Sequence, residues 1–316
     1  MTQLGRNHIL VTGGLGHVGS AVIRSSEILK ASSRITIVDN LSTQRFCSLF
    51  DLPPSHEYRF LEGDVTTHVT RQLLDDVDVV IHLAGTVDPV RSIRHPAELR
   101  DNNLRITTHV ASVCAQVDVP LIYSSSTSVY TSRLSLVDET CVDTQPSSPY
   151  ALCKLEEERV ISHLMRSGRY LLFRFGTIFG PSIGMQFHTA VNKFCWQATS
   201  GNPIEVWKGS LTQVRPYLSL GDCTRILARA VSSNIYPCQV VNAATCNATV
   251  QEVINCIESE GIQTRIKHVE APLANNLSYG VSTDLASSLG FAFTDTLANG
   301  VHSLISTLQG IVAKSN

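Results

Sequence analysis

Along the first 180 residues, short apolar runs rich in β-branched residues alternate with longer stretches of helical character. The runs are His8–Thr12, Arg34–Val38, Tyr58–Leu61, Val77–Leu83, Pro120–Ser124 and Tyr170–Phe175. Each is followed by a polar, Gly-containing or Asp/Asn-containing turn, which is how strands end. Apolar strands separated by helices make a parallel sheet with helices on both faces. The pattern therefore predicts an α/β fold: a doubly wound parallel sheet over residues 1–180. After about Gly180 the alternation breaks. Helical patterns at Thr189–Ser200, Asp222–Ser232, Val250–Glu260 and Asp284–Leu289 mix with isolated strands. This predicts a smaller mixed α/β lobe over residues 181–316, with segments returning to the first domain. No Pro/Ser-rich linker separates the two, so a cleft between lobes of one body is expected.

Composition narrows the function classes. The chain has 316 residues, 43% of them hydrophobic and 16% charged, which is enough to bury a large core. A net charge of −2 carries no electrostatic footprint for nucleic acid or an anionic membrane surface. The nine cysteines form no C-x-x-C pair and are odd in number, which argues against a disulfide framework and a zinc site. Free thiols predict a reducing, cytoplasmic compartment. The N-terminal stretch before the first glycines is too poor in apolar residues for a signal peptide. No apolar run is long enough to span a membrane.

The clearest chemistry lies at residues 8–19, HILVTGGLGHVG. A strand runs into Gly13, Gly14, Gly16 and Gly19, and helical residues Ser20–Lys30 follow. Glycines in this spacing make a tight turn, let backbone N–H groups reach a pyrophosphate, and let the helix pack close to its strand. The helix N-terminus then faces the anion. The next strand ends in Asp39, twenty residues after Gly19. An acid there accepts hydrogen bonds from a ribose 2′-hydroxyl and repels a 2′-phosphate, so NAD is predicted over NADP. Asp64 and Val65, like Leu83, Ala84 and Gly85, follow strands where C-terminal ends line the cofactor crevice.

A second constellation comes later. Ser124, Ser125 and Ser126 end the strand PLIY. Further along, Tyr150 and Lys154 are spaced to share one helix face, with Pro149 at the helix start. A lysine beside a tyrosine lowers its pKa from about 10 by favouring tyrosinate. Tyrosinate can then take a hydroxyl proton while hydride leaves the same carbon, and a serine hydroxyl can hold the developing carbonyl oxygen.

In these motifs the chain resembles the extended short-chain dehydrogenases/reductases of the nucleotide-sugar epimerase/dehydratase family, over essentially its whole length. TGGLGHVGS resembles the family's T-G-G-x-G-x-x-G-S turn, which implies cofactor contacts at Gly13, Gly16, His17, Val18 and Gly19. VDNLS resembles its second-strand end (Asp39, Asn40, Leu41, Ser42), EGDV its adenine contact (Asp64, Val65), and HLAG its fourth-strand end (Leu83, Ala84, Gly85). His95-Pro96 followed by Asn103 is similar to the family's D-P…N segment. SSSTSVY is similar to S-S-S-A-T-V-Y, placing Ser124 at the cofactor and the catalytic hydroxyl at Ser126. PYALCK resembles P-Y-x-x-[ST]-K, so Tyr150 and Lys154 are the implied catalytic pair and also contact the cofactor. RFGTIFGP resembles R-x-x-N-V-Y-G-P, placing Phe175 at the cofactor and Thr177 at the substrate, where the family has Asn. RPYLSLGD resembles R-D-F-[IV]-Y-V-x-D, whose arginine grips the substrate pyrophosphate, here Arg215. Ser126 and Tyr150 would touch the substrate as well. No metal is implied.

What the resemblance implies is a Rossmann-type domain and NAD-dependent chemistry on a UDP-, dTDP- or GDP-linked sugar. Dehydratases of the family carry an acid just after the catalytic hydroxyl; here the positions are Thr127 and Ser128, which cannot ionise. That favours C4 epimerisation through a transient 4-keto sugar. The alternatives are a sugar dehydrogenase or 4-keto-sugar reductase with exchangeable NAD(P), and a non-catalytic dinucleotide-binding protein. Two further departures are Thr131, where the family has Gly, and the family's R-P-G-D, which is missing. EAPLANN occupies its place, with Arg265, Lys267 and His268 upstream. A lost arginine removes a charge-assisted hydrogen bond worth roughly 1.5–3 kcal/mol. Relatives imply a homodimer through the segments Pro96–Val117 and Ala151–Arg166.

Overall fold

The computed structural model of the chain describes residues 7–87, 89–131, 135–142, 144, 146, 148–166, 168–270 and 278–309. Its centre is a seven-stranded sheet in the order Gln239–Ala243, Tyr170–Phe175, Leu121–Ser126, Val79–His82, Asn7–Thr12, Ser32–Asp39, Glu57–Glu62. Every neighbouring pair is parallel. The chain reverses direction of travel across the sheet beside its first strand, which creates the crevice at the strand C-termini where such folds bind ligands. The middle strands are buried on both faces because helices cover both: Val79–His82 and Tyr170–Phe175 contain only buried residues. One face packs Ile9, Val11, Ile35, Ile37, Phe173 and Val241 against the helix Leu220–Ser232. The other packs Leu10, Val80, Leu121 and Tyr123 against Pro96–Val117 and Pro149–Leu164.

The seventh strand, Gln239–Ala243, arrives from beyond Gly180 and pairs with Tyr170–Phe175. The helix Leu220–Ser232 also packs against the main sheet. A separate apolar cluster holds Phe179, Val191, Phe194, Tyr217, Val253, Ile254 and the helix Leu297–Leu308. That last helix went unread in the sequence. The helix expected over Ser20–Lys30 is two helices, His17–Val22 and Ser26–Ala31. Ser25 adopts extended backbone between them, and the Arg24 guanidinium leaves for the carbonyls of Ser48 and Phe50. Among the described residues, no helix is long and apolar enough to cross a membrane.

Candidate active site

The glycine turn closes the crevice floor. Gly13 has φ +68° and donates its N–H to Val38 at 2.8 Å. A Cβ there would lie 2.7 Å from the Ala84 backbone, and one at Gly19 would lie 2.4 Å from the Gly13 carbonyl oxygen. These two positions bring strand end, turn and helix closer than any side chain permits. Gly16 caps the helix His17–Val22 without a side-chain hydrogen bond, and its own N–H donates to the Gly13 carbonyl at 3.1 Å, tightening the turn. Asp39 lies against the same turn: Leu15 N–H donates to Oδ2 at 3.1 Å and Leu41 N–H to Oδ1 at 2.9 Å. Asn40 accepts from Ser42 N–H at 3.1 Å and stays exposed with it. The cradle thus fits a dinucleotide, with a carboxylate where the adenosine ribose belongs.

The remaining expected cofactor positions fall at the strand ends. Leu83 N–H donates to the Thr12 carbonyl at 3.0 Å. Asn103 clamps the following loop, accepting from Thr86 N–H at 2.8 Å and donating to its carbonyl at 3.1 Å, with Gly85 against its amide. Asp64 is occupied: it caps the short helix Val65–His68 through Thr66 N–H and takes two bonds from Arg105. Arg105 foremost, with these donors, holds the Asp64 carboxyl well below the usual carboxylate range. Val65 and Phe175 are buried in the core clusters, and Val18 is packed partly against one. Ser124 is half-buried, with its hydroxyl 3.5 Å from the His82 carbonyl.

His17 does not face solvent; its Nε2 lies 2.9 Å from the Gly180 carbonyl, and burial pushes its pKa down to about 4. It is part of a strap. Ser182 Oγ donates to the His17 carbonyl at 2.9 Å, Gly184 N–H donates to Ser20 Oγ at 2.9 Å, and Gly184 rests on the Leu15 and Gly16 carbonyls. Gln186 continues it: with its amide oxygen turned toward Arg45, it accepts from that guanidinium at 3.0 Å and donates to His188 Nδ1 at 2.8 Å. No sequence motif pointed to Arg45, Gln186 or His188, because their meeting depends on the second lobe folding back over the glycine turn.

Tyr150 and Lys154 stand on the helix Pro149–Leu164, which Ser148 caps by accepting from Ala151 N–H at 3.1 Å. The helix is bolted to the sheet by Glu158, which Arg174 grips through two bonds of 2.9 and 2.7 Å. Ser126, Tyr150 and Lys154 do converge. Lys154 Nζ sits 5.9 Å from the Tyr150 ring centre, and Ser126 is close enough to Tyr150 to favour its ionised form. The Lys154 ammonium is buried and donates to the Tyr123 hydroxyl at 2.8 Å and the Ser124 carbonyl at 3.1 Å. One expectation needs correction. Lys154 does pull the Tyr150 pKa down, but burial outweighs it and the net displacement is upward from 10.0. The lysine charge is shared with Glu157, 3.3 Å away, which with Tyr150 holds Lys154 above its ordinary value against the desolvation that pulls it down.

Ser126 has its acceptor capacity filled by Ser128, whose N–H and hydroxyl donate to it at 3.2 and 2.9 Å. Its own O–H is therefore the group left to point at Tyr150 or at a substrate oxygen. Thr127 is turned inward: it is buried, and its hydroxyl donates to the Phe175 carbonyl at 3.3 Å. Across the crevice, Thr177 pairs in register with Tyr217, two residues beyond Arg215. The Arg215 guanidinium lies 5.7 Å from the ring centre of Tyr279, whose hydroxyl donates to the Thr127 carbonyl at 2.9 Å. Tyr279 was not foreseen; it links the strand Val214–Ser219 to the turn at Thr127. Arg265 and Lys267 do not replace the missing arginine here: they bond the Gly201 carbonyl and Glu205. His268 lies in the strand Ile266–Val269 beside Val206. Most of EAPLANN (271–276) lies outside the described residues. Among the described residues no cluster of three or more His, Cys, Asp or Glu could hold a metal.

A doubly wound sheet with a glycine cradle at the C-terminal ends of its strands defines a dinucleotide-binding class of fold. Comparison with known proteins carries this further. Residues 9–244 match the NAD dependent epimerase/dehydratase family, and the chain belongs to it. It is an NAD-dependent enzyme of that family. It is 26% identical over 263 residues to an uncharacterized UDP-glucose epimerase, YtcB, of Bacillus subtilis, covering 79% of this chain and 81% of that one. It is 27% identical over 286 residues to the UDP-glucose 4-epimerase of Neisseria meningitidis, covering 80% and 82%. The solved UDP-glucuronic acid 4-epimerase of Bacillus cereus, in complex with UDP-glucuronic acid and NAD, superimposes with a TM-score of 0.83. The match covers 96% of this chain and 99% of that one at 23% identity, a likeness of fold.

Proposed function

We propose that the protein inverts C4 of a nucleotide-linked sugar using a retained NAD⁺. When bound, NAD⁺ would supply a reversible hydride acceptor for C4, so net redox is zero. Gly13, Gly16, Gly19 and Asp39 would hold it. Tyr150 takes the C4 hydroxyl proton in oxidation and gives it back in reduction. Ser126, its acceptor sites already filled by Ser128, donates to the C4 oxygen as carbonyl character develops. Lys154 supplies the positive field that opposes the cost of a buried tyrosinate. Arg215 takes the substrate diphosphate and Thr177 the sugar. The relatives' substrates favour a UDP-sugar.

The observation that carries this reading is the state of Thr127 and Ser128. Neither offers an acid or base for C5–C6 elimination: Thr127 is turned into the core, and Ser128 is spent on Ser126. The strap from Gly180 to Gln186 across the glycine turn supports retention of the cofactor. The lobe beyond residue 180 supplies the sugar pocket, and two copies pair through Pro96–Val117 and the catalytic helix. The test is to denature the purified protein, quantify released nicotinamide, and screen UDP-, dTDP- and GDP-sugars for C4 inversion. Near-stoichiometric NAD⁺ is expected, with Tyr150→Phe lowering turnover by ~10²–10⁴-fold. Turnover that requires added NAD(P)⁺ or NAD(P)H, or a fully active Tyr150→Phe, overturns the reading.

A further inference from the structure

Glu157 is fully buried one turn beyond Lys154, and the chemistry above makes no use of it. A carboxylate is expensive to bury unless it is paired and hydrogen-bonded. This one is both. Oε2 lies 3.3 Å from Lys154 Nζ, and Oε1 accepts from Thr107 Oγ1 at 2.6 Å. Tyr123 accepts from Lys154 at 2.8 Å, and burial, then the nearby Glu157 charge, push its own pKa up. Behind Thr107 stands His82, with Nε2 at 3.2 Å from Thr107 Oγ1 and Nδ1 at 2.6 Å from Thr12 Oγ1.

The proton positions follow by elimination. Thr107 gives its proton to the carboxylate, so it accepts from His82 Nε2–H. His82 Nδ1 then accepts from Thr12, and Thr12 Oγ1 accepts from Ala84 N–H at 3.4 Å. A directed chain of donors thus runs from the backbone beside the glycine turn to the carboxylate behind the catalytic lysine. Lys154 has three ammonium protons and three protein acceptors around it: Tyr123 Oη, the Ser124 carbonyl and Glu157 Oε2.

We propose that Glu157 is a positioning residue: it draws Lys154 inward and sets how much of the lysine's charge reaches Tyr150. A negative charge 3.3 Å from the ammonium, in a buried site, cancels much of its field at the tyrosine ring 5.9 Å away. The other groups facing this site are accounted for. On its own helix stand Tyr150, Lys154 and Cys153, the last with Sγ 3.8 Å from Oε2. The strand Leu121–Ser126 brings Tyr123. The strand Val79–His82 brings His82, which burial pushes down to about 3 and so keeps neutral. The helix Pro96–Val117 brings Thr107 and Arg100, and Arg100 is paired outward with Glu156 at 2.7 Å. Glu157 accordingly works against Lys154 in setting the tyrosine, in the same direction as burial.

This inference rests on Tyr150 being the proton acceptor, but its test reads the tyrosine directly. The ultraviolet difference absorbance of tyrosinate is titrated in the full-length protein as purified, subtracting Tyr150→Phe to isolate one residue. Glu157→Gln should make Tyr150 titrate about one pH unit lower than in the wild type. Glu157→Asp keeps the charge and should stay within a few tenths of a unit of wild type. An unchanged or higher titration in Glu157→Gln overturns the proposal. If Glu157→Gln does not fold, Thr107→Val replaces it: withdrawing a donor leaves the carboxylate charge less compensated, so Tyr150 should titrate higher. No upward movement there also overturns the proposal. Failure of the epimerase reading shows separately, as Tyr150→Phe that turns over normally.

Discussion

Replacing Arg174 with Met should unseat the helix Pro149–Leu164, which carries Tyr150 and Lys154. Arg174 and Glu158 have side-chain exposures of 7% and 5%, so their charges are out of water. The guanidinium also lies 4.8 Å from the Tyr130 ring centre, and Ser125 donates to the same carboxylate. Arg174→Met leaves Glu158 buried with Ser125 as its remaining neutral donor. Stranding one member of a buried pair costs about 3–5 kcal/mol, a large part of a typical total of roughly 5–15. At about 2 °C per kcal/mol for a long chain, the melting temperature should fall by roughly 6–10 °C. Turnover should fall too, since Glu158 and Tyr150 share one helix. The double variant Arg174→Met/Glu158→Leu strands no charge and should recover most of the loss. Urea unfolding of the wild type, the single and the double variant decides it. A single variant within about 1 kcal/mol of wild type, or a double no better than the single, refutes the argument that the pair matters through the charge left behind.

Two further outcomes follow from the glycine cradle and its strap. Gly13→Ala must place an L side chain at φ +68°, about 1–2 kcal/mol of strain, with Cβ 2.7 Å from the Ala84 backbone. The purified variant should release at least tenfold less nicotinamide than the wild type; full retention would show that the close approach is dispensable. His17 gives a pH dependence. Its folded pKa of about 4 lies below the ordinary 6.5, so the unfolded chain takes up the proton first. Its contribution is whole above about pH 6.5 and is lost as pH falls toward 4, reaching about 3 kcal/mol. His82 adds to the same acid limb. His17→Phe should therefore flatten the fall in urea midpoint over this window without abolishing it; an unchanged slope would place the titration elsewhere.

Much of this protein was legible along the chain because its information is local. The parallel sheet follows from apolar β-branched runs that only a doubly covered sheet can bury, and Tyr170–Phe175 is a strand over its whole expected range. The glycine turn and Asp39 are neighbours through one strand–turn–helix unit, and Tyr150 and Lys154 through one helical turn. The split of Ser20–Lys30 was not legible: it lies at Ser25, which adopts extended backbone beside an Arg24 held by the carbonyls of Ser48 and Phe50 from another loop.

Tertiary structure alone decided the electrical character of the site. Spacing put Lys154 beside Tyr150, but burial raises the tyrosine, and Glu157 becomes a buried charge only once the sheet and a second helix cover its side of the helix. Thr107 comes from a second helix to meet that carboxylate, with His82 behind Thr107 and Tyr123 on the lysine from two strands. Tyr279 bridges Arg215 to the Thr127 carbonyl, and Gly184 lies on the glycine turn from 165 or more residues along the chain. Periodicity and motif report which residues a backbone segment presents. Desolvation and charge pairing depend on what packs against them, and that is set by contacts far apart in the chain.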